Sequence, residues 1–165
     1  MMNKMLAVLA ATALLASGSQ VFAHGDEQGK KAPKKLSTEE KAFGRQGDAK
    51  KVGKTIRIDM ADTMRYTPDT VTVGIGDTVK FIVSNSGKQT HEMVIGTEKD
   101  LKEHAEVMLK FPTMEHEEPY MLHVAAGKKE EMVWQFTKLG EFHFGCLIPG
   151  HFQAGMKGKI AVVSK

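Results

Sequence analysis

The sequence contains one cysteine, Cys146, so no disulfide can form within the chain. That matters because the N-terminus reads as an export signal, and exported domains ordinarily use cysteines in pairs. Cys146 is therefore a free thiol, an intermolecular bridge, a metal ligand or a buried inert side chain. A surplus of one charge is also missing: the net charge is +3, with both signs mixed along the chain. No basic face or stacking motif accompanies the lysines, which excludes the usual footprint of a nucleic-acid-binding protein. Long hydrophobic runs are absent as well. The apolar stretch Met5–Leu15 breaks into Ser17-Gly-Ser-Gln20, too early for a transmembrane anchor of about 20 residues. Lys4, the short apolar run and the small residues ending in Val21-Phe-Ala23 instead predict a secretory signal peptide, residues 1–23, cleaved after Ala23. No membrane span is expected after cleavage.

What is present falls into two textures. Residues 24–53 are polar, with few apolar side chains to bury, and are expected to form a flexible N-terminal arm. Within it, Ser37-Thr-Glu-Glu40 has the pattern of a helical first turn. From Lys54 to Lys165 the chain reads as one domain of short alternating strands separated by turn residues. The strands are expected at 55–60, 70–73, 78–84, 91–95, 121–124, 130–136, 141–144 and 159–163, as in an all-β sandwich or barrel. Residues 98–111 break this period. Leu101, Ala105, Met108 and Leu109 recur at helical spacing, Thr97 stands ready to cap the start and Pro112 stops the run. One helix is therefore expected between two strands.

The chemistry concentrates in Cys146-x4-His151-x4-Met156, with Pro149, Gly150, Gly155 and Gly158 making the segment a loop between two strands. A thiolate, an imidazole and a thioether in one short loop suggest a soft metal, copper first. Zinc would accept the Cys and His but has little use for the thioether. A Cys–His hydrolytic pair is the remaining alternative, yet no orienting or oxyanion motif accompanies it. The set lacks a second imidazole. Of the seven histidines, His91 fits best, because it begins a strand directly after a turn and would be held rigidly. His104 lies on the expected helix, His116 in a loop, and His123 and His143 inside strands.

These residues resemble the ligand loop of the cupredoxins, the plastocyanin and azurin superfamily. The resemblance runs through Phe144-x-Cys146-x4-His151-x4-Met156-x-Gly158, the closing Ile-Ala-Val-Val163 strand, Gly74-x-Gly-Asp-x-Val-x-Phe81 and the approach from Ser84-Asn85 to His91. It covers roughly residues 54–165 and implies a Greek-key β-sandwich with one copper per chain held by His91, Cys146, His151 and Met156. The helix insertion, the methionines and the His-bearing N-terminus are most similar to the periplasmic copper-tolerance cupredoxins of Gram-negative bacteria. The resemblance thus implies a monomeric periplasmic copper-binding protein rather than an enzyme, with a redox-active type 1 copper site serving copper tolerance or homeostasis. An electron carrier between periplasmic partners, docking near His151, is the other role. A copper oxidase or reductase would need a further open metal site, and a chaperone a more accessible one. One departure stands out. Many blue copper proteins have Asn after the first His, with its amide tying that strand to the Cys loop; here the residue is Glu92, and a carboxylate cannot donate that bond unless protonated.

A second, weaker copper site has two candidate places. One is His24, whose ring and free α-amine would chelate after cleavage. The other is the Met114/His116/Met121/His123 region, with His104 near it in sequence. The competing expectation is that Met108, Met121 and Met132 fill core gaps around the inserted helix.

Overall fold

A computed structural model describes residues 36–114 and 116–165. The expected signal peptide and His24 lie outside the described residues. Two sheets face each other. The first runs in the order β1 (Glu40–Lys41), β2 (Gly44–Gln46), β9 (Lys129–Gln135), β6 (Thr78–Asn85), β3 (Lys54–Ala61), β4 (Arg65–Thr67). The second runs β5 (Thr70–Gly74), β11 (Lys157–Val163), β10 (Gly140–Gly145), β7 (His91–Gly96), β8 (Met121–Val124). Most neighbours are antiparallel, but β3 pairs parallel with β6 and β11 parallel with β5. Both sheets mix hairpin neighbours with strands distant in sequence, such as β2 beside β9 and β5 beside β11, as the expected β-sandwich requires.

Alternation decides which face each strand buries. In β6, Val79, Phe81 and Val83 are fully buried while Lys80 and Ile82 stand partly in solvent. In β9, Met132 and Trp134 point inward, and in β11 Ile160 and Val162 do so. The β7 strand is buried at every position, His91 to Gly96, because the sandwich covers one face and α1 the other. The helix α1 spans Glu98–Lys110, and the Thr97 hydroxyl accepts from Asp100 N at 3.1 Å, which satisfies one of the free N–H groups at its start.

Four expectations need correction. Leu109 does not join the buried stripe of Leu101, Ala105 and Met108; it is 50% exposed. At about 100° per residue it falls roughly 80° round the helix from Leu101, beyond the seam. Met132 does not pack around the helix: Met108 and Met121 do, while Met132 belongs to the sandwich core. The stretch 24–53 is not an arm throughout. From Glu40 it adds β1 and β2 to the first sheet, and a short 3-10 turn follows at Ala49–Lys51. Ser37-Thr-Glu-Glu40 starts no helix; Ser37 N donates instead to Gln46 Oε1 at 2.7 Å. The anchor is Phe43, whose ring stacks on Trp134 at 5.4 Å and whose carbonyl accepts from Trp134 Nε1 at 2.9 Å. One buried aromatic is enough to dock a polar segment on a sheet edge.

Candidate metal centre

The site forms where β7 and the β10–β11 loop meet. His91 opens β7 and is fully buried. Asn85 shapes the turn before it: its side-chain amide donates to Gln89 O (2.7 Å) and Val124 O (2.8 Å), and its oxygen accepts from Gly87 N (2.9 Å). Cys146 follows β10, and Met156 precedes β11; both are fully buried. Backbone bonds close the loop between them. Cys146 N donates to Met156 O at 3.1 Å, and Met156 N to His151 O at 3.0 Å. Gly150 and Gly155 turn the chain at φ of 88° and 94°, where side chains are strained.

This folding brings one donor atom each of His91, Cys146 and His151 within 4.8 Å of one another, the one such His/Cys/carboxylate cluster among the described residues. His151 Nδ1 lies 3.3 Å from His91 Nδ1 and 3.3 Å from Cys146 Sγ. Met156 is joined to Cys146 and His151 through its backbone.

The surroundings orient these donors. Asp62 Oδ1 sits 3.0 Å from His91 Nε2. A carboxylate there assigns the proton to Nε2 and leaves the Nδ1 lone pair facing His151 and Cys146. Asp62 also accepts from Lys88 N and Gln89 N, and these amides with His91 hold its carboxyl below the usual range. Its role has no signal in the sequence, where it is one turn acid among many. Glu92 N donates to Cys146 Sγ at 3.3 Å. Burial pushes the Cys146 thiol up to about 12, against the pull of that backbone bond. Burial also lowers His151, with His91 as the second cause. Two imidazoles and a sulfur facing one another in a largely buried pocket fit a soft cation better than any hydrogen-bonding arrangement among themselves.

Glu92 resolves the question raised by its sequence position. The tether to the Cys loop exists with its polarity reversed: Leu147 N donates to Glu92 Oε2 at 3.2 Å. The other oxygen, Oε1, lies 3.0 Å from His123 Nδ1. Burial raises the Glu92 carboxyl, with His123 and the Leu147 amide opposing. Tyr66 completes the junction, its hydroxyl donating to Glu92 O at 2.6 Å. Replacing Glu92 with Ala leaves the buried Leu147 N–H without its partner. The expected result is a loss of about 1–3 kcal/mol, read from chemical denaturation of the metal-free protein; no change would mean that another group holds the loop.

The Met/His region expected as a secondary cluster is rearranged. Met121 packs against Leu101 and Met108 and leaves the cluster. Both His123 nitrogens are engaged, Nδ1 with Glu92 and Nε2 3.3 Å from His116 O. His104, on α1, joins instead, its ring 4.6 Å from that of His116.

Comparison with known proteins agrees with this geometry. Residues 52–163 match the model of the family described as copper binding proteins, plastocyanin/azurin family. The chain is 46% identical to the copper-resistant cuproprotein CopI of Rubrivivax gelatinosus, over 98% of this chain and 99% of that protein. It is 32% identical to the copper-resistant cuproprotein CopI of Pseudomonas aeruginosa, over 73% of this chain and 82% of that protein. Among solved structures, auracyanin from Roseiflexus castenholzii superposes with a TM-score of 0.58 at 21% identity, over 68% of this chain and 98% of that one. Auracyanin A from Chloroflexus aurantiacus, a "blue" copper protein, gives 0.57 at 21% identity, over 67% and 99%. The latter two likenesses establish the sandwich, and the family match together with the full-length relative establishes more: the chain belongs to the plastocyanin/azurin family of copper-binding proteins, the cupredoxins.

Proposed function

We propose that this cupredoxin is exported to the periplasm, holds one copper with His91, Cys146, His151 and Met156, and serves copper tolerance through that redox-active site. The observation that carries the reading is the convergence of His91, Cys146 and His151 donors within 4.8 Å in a buried pocket beside Met156. The tolerance role is supported by a full-length relative whose name is copper-resistant cuproprotein. Copper held there supplies a one-electron couple. The chain's own residues do the rest. Cys146 supplies a thiolate, which Glu92 N–H stabilises; Asp62 keeps the His91 lone pair aimed inward; Met156 offers a thioether from inside the core. The protein acts by binding rather than by catalysis. Signal cleavage after Ala23 and a monomeric state belong to the same proposal, and no described helix is long and apolar enough to cross a membrane.

Electron carriage remains a second role because one observation favours it. His151 is only half-buried, and its loop neighbours Ile148, Pro149 and Phe152 are partly exposed as well. An imidazole bonded to the metal at an apolar surface is a suitable port for a redox partner. Deleting the gene separates the roles: growth arrested by copper and rescued by the wild type but not by Cys146→Ser supports tolerance. A respiratory defect without copper sensitivity supports carriage and overturns the tolerance reading.

Binding also carries a proton signature. The thiol is protonated well past neutrality, with its pKa at about 12, and must lose that proton to ligate copper. Uptake between roughly pH 7 and 9 should therefore release one proton per copper, with apparent affinity rising about tenfold per pH unit. Calorimetry in buffers of different ionisation enthalpy measures this; no proton release would exclude Cys146 as a ligand.

A further inference from the structure

Along α1 and the loop that follows it, the structure holds a second group of donors outside the copper pocket. His104 lies on the helix, and His116 comes from the loop that follows. Their ring centroids are 4.6 Å apart, with the planes tilted by 42°. Neither ring nitrogen of His116 reaches solvent, and neither has a hydrogen-bond partner among the described residues. Buried polar atoms are almost always partnered, and each one left alone costs about 1–3 kcal/mol. An imidazole with two orphaned nitrogens therefore points to a partner that is not protein.

The donors around it indicate which. Met114 and Met108 line the same groove as His116. Met108 is one helical turn beyond His104, on the same helix face. His123 and Glu92 border the groove too, but they are spent on each other. Glu117 lines the groove as well and is a hard donor; the two imidazoles and thioether sulfur beside it are the set that suits Cu(I). A metal about 2 Å from a nitrogen of each ring fits rings this close only in a bent arrangement, which leaves a third position for sulfur. We propose that His104 and His116, with a thioether from Met114 or Met108, form a second site that binds Cu(I). The site does not depend on the ligand assignment at Cys146. It adjoins that pocket, since Ile148 and Pro149 of the ligand loop also line the groove.

The test is an anaerobic titration of the purified exported protein with Cu(I) against a competing chromophoric chelator. The wild type should take up two equivalents. His104→Ala combined with His116→Ala should take up one, and on oxidation should keep the thiolate-to-copper absorption, which shows that the fold and primary site survive. Met114→Leu should weaken the second equivalent, while Cys146→Ser should lose the absorption and keep the equivalent that depends on the His pair. Saturation of the wild type at one equivalent would overturn the site and assign a water to His116. A second equivalent that persists in the double His variant and disappears in His24→Ala would overturn it equally, placing that copper at the N-terminus. Failure of the primary reading has a different mark: no absorption in the wild type, whatever the stoichiometry.

Discussion

Cys146→Ser should bind copper without the intense visible band of a copper–thiolate bond, and should bind it far more weakly than the wild type. The substitution is nearly isosteric, so the fold has little reason to change. What changes is the donor. A serine hydroxyl does not ionise near neutral pH and is hard, whereas the thiol gives up its proton to a soft metal. The loss should exceed the ~10–100-fold that follows removal of an outer partner of a metal ligand, because here the ligand itself is gone. The Glu92 N–H that now points at Cys146 Sγ, 3.3 Å away, would meet a neutral oxygen and could not compensate. Equal affinity in the two proteins, measured by competition with a chelator, would remove Cys146 from the site.

The largest stability effect should come from the far end of the first sheet. Trp134 is fully buried, stacks on Phe43 and meets Tyr120 edge-on at 5.9 Å. Trp134→Ala should cost about 3–5 kcal/mol, the range for removing a large aromatic from a packed core. It would also free Phe43 O and release the packing that docks β1 and β2. Trp134→Phe separates the two contributions, since it keeps most of the ring and loses only the 2.9 Å bond to Phe43. That variant should lose about 1–3 kcal/mol. Denaturation followed by circular dichroism is the suitable readout, because Trp134 is the chain's one tryptophan. If both variants unfold like the wild type, the N-terminal segment contributes nothing to the domain.

The features that could be read from the sequence share a physical property: their information is local. Cys146, His151 and Met156 sit in one loop, so their spacing alone brings the donor types together. The position of His91 followed from a turn and the start of an alternating strand. The helix was legible through Thr97, Pro112 and the Leu101–Ala105–Met108 stripe, although Leu109 shows how one apolar residue beside a stripe misleads. The features that escaped are long-range. Asp62 meets His91 across 29 positions, and Phe43 meets Trp134 across 91, and neither pairing leaves a periodic trace. β4 was missed because three residues are too few to show a period. Glu92 was legible as a departure, but its consequence was not: only the fold shows that a carboxylate can accept where an amide was expected to donate.

The uneven burial of the pocket has a consequence for time rather than for affinity. His91, Cys146 and Met156 are sealed inside the sandwich, and only His151 stands at the surface, on a turn held by short-range bonds such as His151 N to Ile148 O and Ala154 N to Gly150 O, both 3.0 Å. An ion held as proposed would depart when that turn peels back, a local event cheaper than unfolding the strands behind it. Residence of the metal would then be clocked by one small hinge, and a scavenger in excess would wait for the turn to open instead of pulling the ion out.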